Sequence, residues 1–226
     1  MDRIIKLIRM KLFLTSAGLP PGTTEEFLRL LNKKPEETKV CFVTTASNPE
    51  EDKWYVEKDR ERLSEIGFKV TEFDLEGKNE ASLRDNLKDF DVIYVEGGST
   101  FYLLKYVRKS GFDKVLPEFL QEGGIYVGVS AGTIIVGLNI ETSNWNYGYP
   151  DKNTVGLKDL TGLSLVPFVF CVHIDKKDIN IIKEFTDKTK YPTIGLADNQ
   201  ALLVEDGKKE IVGGGEKHIF NTDVQL

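Results

Sequence analysis

A mostly parallel, doubly wound α/β sheet with helices on both faces is the fold class that the sequence predicts, and three observations lead to it. Short β-branched, apolar runs alternate with longer amphipathic ones through the first 130 residues, the pattern of successive strand–helix–strand units. Near the C-terminus a turn containing Gly207 joins two strand-like runs, which reads as an antiparallel hairpin at one edge of the sheet. No Pro/Gly-rich linker, internal repeat or low-complexity stretch divides the 226 residues, a length that one large α/β domain can fill. Residues 10–226 are therefore expected to form a single domain. Residues 1–9, which mix charged and apolar side chains ahead of a second methionine, Met10, are read as an N-terminal extension.

Taken in order, strands are expected at residues 12–15, 40–44, 69–73, 92–96, 125–129, 193–196, 201–205 and 210–212. Helical spacing covers residues 24–31, 51–66, 81–88, 100–109 and 113–121. The first of these helices opens on a Thr-Thr-Glu-Glu run that suits a cap with acidic first-turn residues. The second ends at Gly67, which reads as a C-cap. The least regular part, residues 142–158, is rich in Asn, Tyr, Gly and Pro. A long loop in that position, after the central strand and helix, is expected to border a ligand cleft. Its aromatics Trp145, Tyr147 and Tyr149 suit either a pocket lining or a subunit contact, so a homodimer remains open.

Composition narrows the function. Apolar residues make up 40% of the chain and charged residues 29%, both close to the globular norm. Thirty Lys plus Arg face 36 Asp plus Glu, a net charge of −6, with no basic run to follow a phosphate backbone; nucleic acid is not an expected partner. No apolar stretch reaches the roughly 18 residues of a membrane span, so no membrane partner is expected either. Cys41 and Cys171 each lie inside an apolar run and read as buried small hydrophobes rather than a disulfide or metal pair. That usage, with no continuous apolar core in the N-terminal residues, suits the cytoplasm.

The sharpest chemical signal is Gly128-Val129-Ser130-Ala131-Gly132, between an apolar strand and an apolar, helix-like run. A serine on a strand-to-helix turn needs strained backbone angles and small neighbours, which Gly128, Ala131 and Gly132 supply. The plainer reading is a glycine-rich turn whose serine caps the helix. A second turn, Glu96-Gly97-Gly98-Ser99-Thr100, also ends a strand. If the two strands are neighbours, both turns emerge at the carboxyl edge of the sheet, and the N–H groups of Gly98 and Ala131 could form an oxyanion hole. A phosphate cradle is the weaker reading, because neither a G-x-G-x-x-G run nor a P-loop lysine is present. Gly213-Gly214-Gly215 reads as a turn.

A serine nucleophile needs a base, and the chain has two histidines. His173 closes an apolar run just before a polar turn, whereas His218 is flanked by charges near the chain end, so His173 is the better candidate. Asp198, where a strand gives way to a turn, is the candidate for the carboxylate that orients the imidazole; Glu141, Asp151 and Asp175 are its rivals. The order Ser130…Asp198…His218 would instead match an α/β-hydrolase, but neither histidine precedes a glycine as that fold's oxyanion motif requires.

These residues resemble a known family. Glu96-Gly97-Gly98-Ser99-Thr100-Phe101-Tyr102-Leu103-Leu104 is similar to the Gly-Gly-Asn-Thr-Phe-x-Leu-Leu segment of dipeptidase E and its relatives, including cyanophycinase. Gly128-Val129-Ser130-Ala131-Gly132 is similar to their Gly-x-Ser-Ala-Gly elbow, and His173 follows a Leu-x-Pro-Phe-like stretch as the family's histidine does. The resemblance spans Met10 to about Phe220. It implies a fold like that of the class I glutamine amidotransferases and a serine peptidase with Ser130 as nucleophile, His173 as base, and Gly98 and Ala131 at the oxyanion. It implies no metal or organic cofactor. Where dipeptidase E has Thr-Asn-Asp after the elbow, this chain has Thr142-Ser143-Asn144-Trp145; Asp198 before Gln200-Ala201-Leu202 fits the cyanophycinase-like pattern better. The arginines that follow the family's histidine are replaced by Ile174-Asp175-Lys176-Lys177-Asp178. Lysine is not a bidentate carboxylate reader, which argues against specificity for an N-terminal aspartate. The expectation is a serine exopeptidase of short peptides; an esterase or amidase, and a non-catalytic peptide or small-ligand binder, are the alternatives.

Overall fold

The computed structural model describes residues 10–189 and 191–222; the expected N-terminal extension lies outside them. The strands in chain order are β1 (Lys11–Thr15), β2 (Lys39–Val43), β3 (Lys69–Phe73), β4 (Val92–Val95) and β5 (Ile125–Val129). They continue with β6 (Val169–Cys171), β7 (Thr193–Gly195), β8 (Gln200–Glu205), β9 (Lys208–Gly213) and β10 (His218–Phe220). Helices are α1 (Pro21–Leu30), α2 (Trp54–Ile66), α3 (Glu80–Leu87), α4 (Thr100–Ser110), α5 (Phe112–Gln121), α6 (Ala131–Ile134) and α7 (Ile179–Thr189).

Seven strands form the central sheet in the order β3-β2-β4-β5-β1-β8-β9. The neighbours from β3 through β1 pair in parallel. The β8–β9 hairpin then joins β1 antiparallel, so the expected edge hairpin is present. Alternation along each strand divides the core in two. Leu12, Leu14, Cys41, Val43, Ile93, Val95 and Tyr126 face α3, α4 and α5. Phe13, Val40, Phe42, Val92, Tyr94 and Val127 face Phe27 and Leu30 of α1 and Val56 and Leu63 of α2. A Leu or Phe side chain buried in such a layer contributes about 1.5–3 kcal/mol relative to exposure, and this two-sided demand makes the strands apolar runs.

Several boundaries differ from the sequence reading for local reasons. Helix α1 begins at Pro21 rather than at residue 24, because proline fits the first helical turn, where its missing N–H is no loss. The expected Thr-Thr-Glu-Glu cap is therefore inside the helix; the Thr23 and Thr24 hydroxyls donate back to Pro20 O. Helix α2 starts at Trp54, three residues later than expected, and ends at Gly67 in the left-handed region (φ 107°), as its C-cap reading required. The apolar run after Ser130 holds only four helical residues. Beyond them the carbonyls of Ile135, Val136 and Gly137 accept the N–H groups of Leu163, Leu165 and Ser164, so the chain exchanges helical partners for tertiary ones.

A second, smaller sheet, β10-β7-β6, was not separable in the sequence. It stands beside the elbow through the bond from Leu138 N–H to Phe168 O at 2.8 Å. Trp145 and Tyr147 are buried in its apolar cluster with Cys171, Ile174 and Ile182, and Trp145 stacks on Phe185. Both rings are taken up by packing within the chain. Tyr149 differs, being 87% exposed.

Candidate active site

The site forms where three chain segments leave the two sheets side by side. Strand β5 lies between β4 and β1, so the Gly97–Gly98 turn, the Ser130 elbow and the Ser16 turn emerge together at the carboxyl edge. Ser130 has φ 48° and ψ −105°, a backbone conformation that L-residues adopt only when the surroundings impose it. Those surroundings are backbone. Ser130 N–H donates to Thr15 O at 3.1 Å, and the Thr133 hydroxyl lies 2.7 Å from both Thr15 O and Gly128 O. Tyr126 OH donates to Gly132 O at 2.7 Å. A Cβ on Gly128 would fall 2.5 Å from Gly132 O, and one on Gly132 would collide with Val95 O. The flanking glycines are thus demanded by contact between chain segments.

His173 and Asp198 come from the small sheet. β6 and β7 run parallel, and Leu196 N–H donates to Cys171 O, which carries residues 171–173 and 196–198 off the same end. His173 Nε2 lies 3.0 Å from Ser130 Oγ, and its Nδ1 lies 2.6 Å from Asp198 Oδ1. This network assigns the imidazole tautomer: Nδ1–H donates to the carboxylate and Nε2 accepts from the serine. The histidine itself has φ 56°. Its backbone N–H donates to Ser16 Oγ at 2.7 Å, and the Ser16 hydroxyl donates to Asp198 Oδ1 at 3.0 Å. The His173 hydrogen bond, then the His173 charge, the Ser16 hydroxyl and the nearby Lys58 charge outweigh desolvation and hold the Asp198 carboxyl below the usual carboxylate range.

The structure therefore brings together Ser130, His173 and Asp198 and sends the rivals elsewhere. Asp151 Oδ2 accepts from Thr100 N–H at 2.6 Å, tying the loop after the elbow to the start of α4. Asp175 caps the short turn at Lys176–Asp178. Glu141 has a buried Oε1 without a partner among the described residues, and burial raises its pKa. His218, in β10, pairs with Gly195 of β7 and stacks on Phe220. Because Ser130 and Asp198 both contact His173, the alternative set with His218 is not assembled. Gly98 (φ 127°) lies where a Cβ would be 2.5 Å from Ala46 O, and a Cβ on its neighbour Gly97 would lie 3.3 Å from Ser130 Cβ. Among the described residues, no acceptor takes the N–H of Gly98 or of Ala131. The sequence reading missed Ser16; a Ser-Ala-Gly turn ending a strand next to the elbow strand was its only signal. The exposed Tyr149 presents its ring edge-on to His173 at 6.1 Å. Among the described residues, no group of three or more His, Cys, Asp or Glu side chains could hold a metal ion.

Comparison with known proteins gives the family. The model of peptidase family S51 matches residues 12–212. The chain belongs to peptidase family S51. It is 32% identical to an uncharacterized peptidase of Listeria monocytogenes, over 89% of this chain and 96% of that one. It is 30% identical to a peptidase E of Shewanella amazonensis, over 76% of this chain and 73% of the relative. Among solved structures, a candidate peptidase E protein from Listeria monocytogenes superposes with a TM-score of 0.77 at 29% identity, covering 91% of this chain and 99% of that one. The S51 chain is thus a peptidase with the fold seen in that neighbour. No helix among its described residues is long and apolar enough to cross a membrane.

Proposed function

We propose that this S51 peptidase is a serine exopeptidase of short peptides. The observation that carries the reading is the continuous chain from Ser130 Oγ through the His173 ring to Asp198. In the first step Ser130 Oγ attacks the scissile carbonyl carbon while His173 Nε2 takes the hydroxyl proton. Asp198 holds the imidazole in position and stabilises the imidazolium. The oxyanion sits on the N–H groups of Gly98 and Ala131, which have no other acceptor among the described residues. His173 then protonates the leaving amine as the C–N bond breaks. Water, deprotonated by His173, releases the acyl group from Ser130.

Exopeptidase action on short peptides is supported by the relatives named peptidase E and by the loop that Asp151 latches beside the site. The free, buried Cys41 and Cys171 support a cytoplasmic setting. Aspartate specificity is left out, because Lys176 and Lys177 stand where the family's arginines would be. The test is mass-spectrometric digestion of a mixed di- and tripeptide library with Ser130→Ala in parallel. Cleavage that vanishes in the variant supports the proposal and reveals the preferred residues. Equal cleavage by both proteins would sink it, and no cleavage by either would favour a binding protein or a non-peptide ester or amide substrate.

A further inference from the structure

Directly beneath the Gly97–Gly98 turn lies a carboxyl pair that the mechanism above does not use. Glu96 directly follows β4 and is 1% exposed; Asp59, on the inner side of α2, is 9% exposed. The two side chains are hydrogen-bonded to each other. Two ionised carboxylates cannot form that bond, since each only accepts. Among the described residues Glu96 Oε2 has no partner, and Asp59 Oδ2 already accepts from Tyr94 OH at 2.8 Å. A single shared proton satisfies the pair.

The remaining groups facing the pair show where that proton sits. Helix α2 contributes Lys58 and Tyr55, and β4 contributes Tyr94. Tyr55 OH is engaged by Glu50. Burial raises the pKa of both carboxyl groups; at Asp59 the Tyr94 hydroxyl and the Lys58 charge oppose it, whereas at Glu96 the Asp59 charge adds to it. The proton therefore belongs on Glu96. On the other side, Asp59 packs against Gly18, where a Cβ would collide with its carboxylate. Gly18 lies two residues past Ser16, the partner of both His173 and Asp198.

We propose that Glu96 is a positioning residue: as a neutral acid bonded to Asp59 directly before Gly97, it fixes the Gly97–Gly98 turn against Ser130. Its ionisation would place two like charges in one buried site and displace the turn. Activity is then lost on the alkaline side through Glu96, independently of the imidazole. The inference rests on the serine-hydrolase reading of the site, so its test needs a readout besides peptide cleavage.

That readout is the rate at which a fluorophosphonate labels Ser130. The serine oxygen bonds phosphorus, fluoride leaves, the serine proton passes to His173, and the phosphoryl oxygen occupies the oxyanion position. Labelling and peptide turnover are measured across about pH 6 to 10 for the parent, Glu96→Gln and Glu96→Leu. Glutamine keeps a donor and an acceptor but cannot ionise. Glu96→Gln should label within about threefold of the parent near neutrality and lack the alkaline fall. Glu96→Leu should label about tenfold more slowly, with kcat reduced and KM within about twofold. An alkaline fall retained in Glu96→Gln, or parental labelling in Glu96→Leu, overturns the proposal; the glutamine arm decides it if the leucine variant does not fold. A parent that is labelled but cleaves no peptide removes the peptidase reading, while the labelling rates still judge Glu96. A parent that is not labelled overturns both.

Discussion

The two halves of the site are built by different means. On the central sheet, Ser130 is fixed almost entirely by main chain: its own N–H, the Thr15, Gly128 and Gly132 carbonyls, and glycines that pack against neighbouring backbone. On the small sheet, His173 and Asp198 hang from three-residue strands and are joined by side-chain hydrogen bonds, with Asp198's side chain 65% exposed. The nucleophile half is therefore intolerant of added volume. The acid–base half is intolerant of altered hydrogen bonding. Substitutions in the two halves should fail in different ways, one by unfolding and one by losing rate.

The largest expected effect belongs to the small sheet. Asp198→Asn should lower kcat by about 10²- to 10⁴-fold, because the amide favours the wrong imidazole tautomer. Its melting temperature should hardly move, since the side chain is largely exposed. His218→Ala is the matched control and should leave turnover unchanged; a loss there would undo the separation of the two histidines. On the central sheet, Gly132→Ala should instead cost about 3 kcal/mol or more of stability, through collision with Val95 O. Thermal unfolding would show that as a fall of about 6–12 °C. A folded, inactive Gly132→Ala protein with the parental melting temperature would break the comparison.

Ser16→Ala tests the hydroxyl that braces the acid–base pair from the central sheet. About a tenfold loss of kcat, near 1.4 kcal/mol, is expected, with KM retained. The smallest effect is on stability and comes from Glu96. Burial raises its folded-state pKa well above the usual glutamate value. Above the unfolded-state value, near 4.3, the unfolded chain releases a proton that the folded chain keeps, so the parent loses stability as pH rises. Glu96→Gln avoids that loss. It should melt a few degrees above the parent at about pH 8 and level with it at about pH 4, as differential scanning calorimetry can measure. A constant offset at both pH values would contradict a neutral Glu96.

The same division explains what the sequence revealed. β3 and β5 have the expected bounds, and the elbow was visible because backbone strain selects glycine and small residues, a compositional mark. The small sheet was not visible as a sheet. β7 matches the strand expected at residues 193–196, but β6 and β10 are three residues each, too short for periodicity to show, and the three strands pair across long stretches of chain. His173 and Asp198 were nonetheless found, because each ends an apolar run, but their contact depends on the β6–β7 pairing, which no local pattern encodes. Ser16 and the Asp59–Glu96 pair were missed for a related reason. A serine in a turn, an acid on a charged helix and a glutamate at a strand end are all commonplace until the fold buries them together.

The unusual conformation of Ser130 also bears on how this protein would respond to selection. A non-glycine residue at φ 48° and ψ −105° costs on the order of 1–3 kcal/mol, which the rest of the fold must offset. Ser130→Gly would relieve it and leave a sturdier protein with no nucleophile. A laboratory evolution scheme that screened variants only for surviving heat would therefore accumulate inactive winners at this position. Any search for a more durable form has to screen for turnover in the same round.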